Sequence, residues 1–354
     1  MNDEARLRKK QALKTKNGRI ICGDSNTAMD EIEDGAVNLI MTSPPFGLIK
    51  EKEYGNVPAD DYLEWFTPFA NNFKRILAEN GSLVIDIGGT WQKGMPTRHL
   101  YHFELLILLC KKFGFHLAQE FYWWNPAKLP SPAEWVNIRR VRVKDAVNTV
   151  WWLSKSPWPK SDNRRVLQRY SPGMDSLLAN GYKADLRPSG HNISDKFAVN
   201  NGGAIPPNLL AIANTESNSA YLRYCREKNL KPHPARFPAE LPEFFIRMLT
   251  DVGDYVLDPF AGSCITGEVC ERLGRKWTCM ELRPDYVEAA RGRFENADGA
   301  TQDRPKQGQE FYRAPRPSLL WDQLPQTPLS ADGGRKRPKS KPKLIEQKRE
   351  GDPS

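Results

Sequence analysis

The chain has 354 residues, 52 Lys and Arg against 43 Asp and Glu, a formal charge of +9 and an apolar fraction of 39%. That length can bury a full core, as one large α/β domain with an insert or as two domains, and the composition excludes collagen, a coiled coil and a small disulfide scaffold. The longest aliphatic run, around Leu105 to Leu109, is too short to cross a membrane, and the basic amino terminus has no apolar stretch behind it, so neither an anchor nor a signal peptide is expected.

In chain order, apolar periodicity predicts strands at 19–23 and 37–42, a helix at 61–78, a strand at 82–87, a helix at 100–113, and strands at 116–124 and 147–153. After a gap come a helix at 240–250, a strand at 255–258, a helix at 267–273, a strand at 277–282 and a helix at 285–296. Strands that alternate with helices argue for a mostly parallel sheet covered on both faces. Between 154 and 213 the rhythm stops; Gly, Pro, Asn and Ser dominate, which predicts an irregular insert without a core of its own. The six cysteines (22, 110, 225, 264, 270 and 279) form no CxxC pair, so reduced buried thiols are expected and a zinc site is not.

The charge is unevenly placed. Residues 1–19 carry a net +5 and residues 330–354 a net +4, so the body between them is neutral. Within that body, residues 122–190 hold twelve Lys and Arg against five Asp and Glu, together with six of the ten tryptophans. Basic side chains interleaved with aromatics suit phosphate contact and stacking. Adjacent residues on a strand face opposite sides, so Trp123/Trp124 and Trp151/Trp152 imply either strands buried on both faces or rings that meet a ligand.

Two loops carry the chemistry. The buried strand 37–42 runs into Ser43-Pro44-Pro45-Phe46, where two prolines fix two φ angles and remove two N–H donors. Such a rigid loop suits a flat group bearing an NH2, with Ser43 Oγ and the Pro44 carbonyl accepting its hydrogens and Phe46 stacked on the ring; an ordinary Pro-Pro turn would look the same in isolation. In the second loop, a strand ends at Asp258 and a small-residue turn, Phe260-Ala261-Gly262-Ser263, leads into a helix. A second strand ends at Glu281, 19 residues beyond Gly262. In nucleotide-type sheets the small turn lets backbone approach a ligand and an acid about 20 residues on binds ribose hydroxyls. The turn is neither GxGxxG nor a Walker A loop, which favours a nucleoside without phosphate, S-adenosylmethionine being the commonest.

These segments resemble the amino DNA methyltransferases, in the beta order of motifs and within it the cytosine-N4 group. The likeness runs from Thr42 to Phe294 through TSPPF, EYGN, KLPSPAEWVN, VRVKDAVNTVWW, RPSGHNI, GGAIPPNLL and HPARFPAELPEFFIRMLT. Cys264 stands where many relatives have Gly or Asn, and the chain beyond about Ala297 matches nothing in the family pattern. The resemblance implies an α/β fold, the Rossmann-like seven-stranded sheet of S-adenosyl-L-methionine-dependent methyltransferases. That sheet would be circularly permuted and interrupted by an irregular target-recognition insert. It implies a catalytic half at 19–153, the insert at 154–213 and a cofactor-binding half at 214–297, while composition alone predicts a basic arm at 1–18 and a disordered basic tail at 298–354.

By the same resemblance Ser43, Pro44, Pro45 and Phe46 form the catalytic loop. The cofactor would be held by Asp24, His233, Pro234, Phe237, Asp258, Phe260, Ala261, Gly262, Ser263 and Glu281. DNA contacts are expected from Arg139, Arg140, Arg142, Lys144, Lys155, Arg164, Arg165 and His191. The implied activity is methyl transfer from S-adenosyl-L-methionine to N4 of a cytosine flipped from double-stranded DNA, by direct in-line attack, at the palindrome CAGCTG. The implied setting is a bacterial restriction–modification system, with a cytoplasmic monomer on the nucleoid, paired in function with an endonuclease but not in a stable complex. No Pro-Cys dipeptide occurs, which disfavours a covalent cytosine-C5 mechanism. Adenine-N6 methylation and a catalytically inactive DNA-binding protein of the same fold remain as alternatives.

Overall fold

The computed structural model describes residues 10–48, 55–181, 199–215 and 219–295. Among these the apolar runs form strands β1 (Lys10–Lys14), β2 (Gly18–Cys22), β3 (Val37–Thr42), β4 (Leu77–Ile87), β5 (His116–Trp124), β6 (Val147–Ser154), β7 (Leu209–Ala211), β8 (Tyr255–Asp258) and β9 (Lys276–Glu281). The helices are α1 (Ser25–Met29), α2 (Tyr62–Ile76), α3 (Tyr101–Lys111), α4 (Pro172–Asn180), α5 (Ala220–Glu227), α6 (Glu240–Leu249), α7 (Ile265–Leu273) and α8 (Pro284–Ala290).

The strands make one sheet in the order β1-β2-β9-β8-β3-β4-β6-β5-β7. From β2 to β4 all neighbours are parallel, whereas β6 runs antiparallel to β4 and to β5. The seven expected strands are all present, and the sheet has two more, β1 and β7, one at each edge. β1 pairs antiparallel with β2, so part of the expected basic arm belongs to the sheet. β4 starts earlier than alternation suggests because Leu77 already pairs with Val37 before the chain bulges and resumes at Ser82 opposite Leu39.

The two faces hold separate cores. Ile40, Ile85, Trp151 and Met280 pack with α1, α2 and α3 on one side, while Met41, Val84, Trp152 and Val256 pack with α6, α7 and α8 on the other. Trp151 and Trp152 therefore lie in different cores, as strands buried on both faces require; burying each such side chain contributes roughly 1.5–3 kcal/mol. The 154–213 stretch is less irregular than its composition suggests. It contains α4, whose amino end is capped by Ser171 Oγ accepting from Met174 N at 3.3 Å with Pro172 in the first turn, and the edge strand β7.

Strand order does the work of positioning. β8 and β9 come last in the chain but sit in the middle of the sheet, with β8 directly beside β3. The loops that leave β3 and β8 at their carboxyl ends are thus adjacent, although more than two hundred residues separate them in sequence. Thr42 Oγ1, fully buried at the end of β3, donates to Asp258 Oδ1 at 2.8 Å at the end of β8.

Candidate active site

A cavity of about 550 Å³ opens at the carboxyl ends of β3, β4, β8 and β9. Both sequence loops line it: Ser43 to Phe46 from one side, Phe260 to Ser263 from the other, with Asp24, His233, Pro234, Phe237 and Glu281 completing the wall. Its volume lies within the roughly 300–1,000 Å³ range of small-molecule sites.

The catalytic-loop candidate is held from beneath. Tyr62, fully buried, donates its hydroxyl to the Pro45 carbonyl at 2.8 Å, and the buried Tyr101 hydroxyl donates to the Gly88 carbonyl. The Phe46 ring lies so close to Gly88 that a Cβ there would fall 2.6 Å from Phe46 Cε2. Ser43 Oγ donates to Asp86 Oδ2 at 3.1 Å, and Asn148 Nδ2 donates to Asp86 Oδ1 at 3.3 Å. Burial pushes the Asp86 carboxyl up to about 6, against the bonds from Ser43 and Asn148 that favour its charged form.

The cofactor-turn candidate is equally built. Gly262 adopts φ +53°, and a Cβ on it would stand 3.1 Å from the His233 ring. Its N–H donates to Glu281 Oε2 at 3.0 Å, while Glu281 Oε1 accepts from Arg283 N at 2.9 Å. Burial raises the Glu281 carboxyl to about 7. Phe260 packs on Phe69 and Trp65, with ring centroids 4.9 and 5.8 Å away. Ser263 is buried, and Arg293 donates to its carbonyl at 2.6 Å and to its hydroxyl at 3.0 Å. His233 Nδ1 donates to the Ala235 carbonyl at 2.6 Å, and burial lowers the ring to about 4, so the imidazole is neutral near pH 7. Asp24 caps α1, its Oδ1 accepting from Asn26 N at 2.6 Å.

Asp258 differs from the rest of the set. It is 1% exposed and absent from the cavity wall; its carboxylate accepts from Thr42, Thr266 Oγ1 at 2.7 Å and Phe260 N at 3.1 Å, beneath the turn. These bonds support the turn from beneath, and burial holds the Asp258 carboxyl up at about 6.

The basic stretch divides in two. Arg139, Arg140, Arg142 and Lys144 lie on the 125–146 loop, which joins β5 to β6 at the cavity end of the sheet, since Trp124 pairs with Val147 there. Arg142 stacks 4.1 Å from the Trp91 ring centroid, Arg139 pairs with Glu134 at 2.6 Å, and Lys144 Nζ donates to the Lys128 carbonyl at 3.0 Å. Lys155, Arg164 and Arg165 instead sit at the opposite end of the strands, next to Ser154 and the residues that precede β8. Lys155 Nζ donates to the Leu77 carbonyl at 2.8 Å, Arg164 pairs with Asp162 at 2.8 Å, and Arg165 pairs with Asp251 at 2.6 Å. These three residues are paired locally and lie at the far end of β6 from the cavity, where His116 pairs with Ser154. His191 lies outside the described residues.

Several cavity residues went unnoticed in the sequence: Asp86, Lys128, Asn125, Asn148 and Asn214. Asp86 lies one residue before the end of a predicted strand, 82–87, which was a usable signal; the asparagines carry none. Among the described residues no helix is long and apolar enough to cross a membrane, and no group of three or more His, Cys, Asp or Glu could hold a metal ion. All six cysteines are free thiols, four of them buried.

A mostly parallel α/β sheet with a Ser-Pro-Pro-Phe loop and a small-residue turn meeting over adjacent strands is the architecture of a DNA methylase. Residues 37–292 match the family model of that description, and the chain belongs to this family. The chain is 51% identical over 296 residues to the type II methyltransferase M.PvuII of Proteus hauseri, covering 83% of this chain and 88% of that protein. It is 26% identical over 284 residues to M.BglII of Bacillus subtilis, covering 77% of this chain and 67% of the relative. Its structure is similar to that of the cytosine-N4-specific PvuII DNA methyltransferase, with a TM-score of 0.67 and 47% identity over 81% of this chain and 89% of that one.

Proposed function

We propose that this chain moves a methyl group from S-adenosyl-L-methionine to the exocyclic N4 of a cytosine turned out of double-stranded DNA. The site is the palindrome CAGCTG implied by the sequence resemblance, and the role is the modification half of a restriction–modification system. The observation that carries the reading is the meeting of the two loops in one cavity, with Ser43 hydrogen-bonded to a buried Asp86. The residues fit the cofactor. Gly262 keeps its Cα clear where a side chain would strike His233, Glu281 offers carboxylate oxygens at the cavity wall, and Phe260 presents an aromatic edge. Bound there, S-adenosyl-L-methionine supplies an electrophilic methyl group.

The chain's own contribution falls on the amine. Because the Ser43 hydroxyl hydrogen points to Asp86, its lone pairs are left to accept one amine N–H. The Pro44 carbonyl accepts the other, and Phe46, fixed over Gly88, stacks on the ring. Two neutral acceptors contribute only about 1 kcal/mol each, so positioning must supply most of the acceleration, up to roughly 7–11 kcal/mol. The methylated nitrogen is strongly acidic, and Ser43 Oγ can relay its proton to Asp86 Oδ2. The polar far wall, with Lys128, Asn125, Asn148 and Asn214, suits a base rather than an apolar substrate. The chain is read as acting as a monomer in the cytoplasm of a bacterium, without a stable complex with its endonuclease.

The test incubates the full chain with isotopically labelled S-adenosyl-L-methionine and a duplex bearing CAGCTG, followed by nucleoside mass spectrometry. N4-methylcytosine is expected; N6-methyladenine alone, or no transfer, would overturn the reading.

A further inference from the structure

The 125–146 loop exposes an unusual set of aliphatic side chains: Leu129 is 79% exposed, Ile138 69%, Val141 60% and Val143 85%. Single exposed aliphatics are normal on any surface, but four in fifteen residues, interleaved with cations, mark an interaction site. Here Ile138, Val141 and Val143 alternate with Arg139, Arg140, Arg142 and Lys144.

The loop is a folded platform. A single wide helical turn, Glu134–Ile138, is closed by Arg139 N donating to the Glu134 carbonyl at 2.8 Å, and Val141 N donates to the Trp135 carbonyl at 2.9 Å. The Lys144 bond to the Lys128 carbonyl and the bond from Asp145 N to the Ser131 carbonyl at 3.1 Å tie its two limbs together. The Trp91 ring meets the guanidinium groups of both Arg98 and Arg142, 5.1 and 4.1 Å from its centroid, and Arg98 pairs with Asp145 at 2.6 Å. Arg140 is held at φ +55°, a conformation that costs a non-glycine residue energy and persists only where the surroundings impose it. Both limbs end in the cavity wall, through Asn125 and Lys128 on one side and Ala146 and Asn148 on the other.

We propose that Val141 and Val143, with Leu129 and Ile138 exposed on the same loop, form an aliphatic wedge that enters the DNA stack and fills the gap left when the target base turns into the cavity. The inference deepens the proposed function and rests on it. Extruding a base exposes two apolar base faces and costs a few kcal/mol; an aliphatic side chain inserted there replaces the lost stacking, as apolar wedges do in kinked duplexes. The alternating cations sit where flanking phosphates would lie, and the two ends of the platform deliver the extruded base to the cavity wall. Charge complementarity and continuity with the cavity both select DNA as the occupant.

The test compares the wild-type chain with the Val141→Ser/Val143→Ser variant on two duplexes bearing CAGCTG. One is fully paired; the other has an abasic position opposite the target cytosine. The variant is expected to lose about ten-fold or more in kcat/KM on the paired duplex and to recover most of that loss on the second, where extrusion is already easy. A 2-aminopurine placed at the target position of the paired duplex should brighten less with the variant, at unchanged cofactor affinity and Tm. Equal losses on both duplexes, or none on either, would overturn the wedge. So would a wild-type dimer in sedimentation that the two serines dissociate, because the patch would then be a protein interface. If the wild-type chain transfers no methyl to either duplex, the functional reading itself falls, and this inference with it.

Discussion

Ser43 and Asp86 act as one unit, and their coupling has a pH signature. With the Asp86 carboxyl near 6, the carboxylate accepts from Ser43 above that pH. Once protonated below it, Asp86 turns donor and occupies the Ser43 lone pair that the amine needs. The turnover rate should therefore fall about ten-fold per pH unit below roughly 6. In Asp86→Asn that acid limb should vanish and the plateau drop; a limb that survives the substitution would assign it to another group. Ser43→Ala should lower turnover far more than cofactor affinity, and a Ser43→Ala/Asp86→Asn double variant should lose little beyond either single one in single-turnover assays. Gly262→Ala places a Cβ 3.1 Å from the His233 ring at a φ of +53°. It should weaken S-adenosyl-L-methionine binding at least ten-fold by calorimetry, while costing about 1–2 kcal/mol of stability from the left-handed backbone alone.

Among the elements, the basic stretch is the instructive one, because β6 carries its two halves to opposite ends of the strands. Trp124 and Val147 pair at the cavity end, whereas His116 and Ser154 pair a strand length away. The cations of the 125–146 loop face the cavity side, while Arg164 already holds Asp162, whose carboxyl that bond draws down to about 2. Arg140→Ala and Lys144→Ala should each weaken DNA binding and lower the salt slope of log K by about 1. Arg164→Ala should leave both unchanged; an equal loss from Arg164→Ala would place the far end of the strands in the DNA interface. A titration of binding against salt concentration decides between them.

At the scale of the whole molecule, the site is assembled against a gradient of buried charge. Asp86, Asp258 and Glu281 all have carboxyls raised by burial, to about 6, 6 and 7. A carboxyl raised in the folded state binds protons there before the unfolded chain does, so its stabilisation grows as pH falls through the folded value. His102 and His233, lowered to about 4, act in the opposite sense below about 6.5, where the unfolded chain binds protons first. The ligand-free chain should therefore gain only about 0.3 kcal/mol between pH 8 and pH 6.5, where Glu281 contributes about 0.8 kcal/mol and the two histidines oppose it by a similar amount. A scanning calorimetry series over pH checks this. In Glu281→Gln the small gain should turn into a loss.

The sequence alone determined the parts and their chemistry. Alternating apolar runs marked the seven inner strands, two prolines after a buried strand marked a rigid loop, and small residues ahead of α7 marked a close backbone approach. Each of these depends on local sterics or on period, which one segment carries within itself. Short edge strands such as β1 and β7 were not legible, since their residues pair only because a neighbour is already in place. Nor was Asp86 as the partner of Ser43, because the two meet only when β3 and β4 lie side by side. Tertiary structure alone decided that Asp258 supports the turn from below, that Trp151 and Trp152 belong to separate cores, and that one run of basic residues lies at both ends of β6. Which face and which end a side chain occupies follows from strand pairing across the sheet, a long-range register that no local pattern encodes.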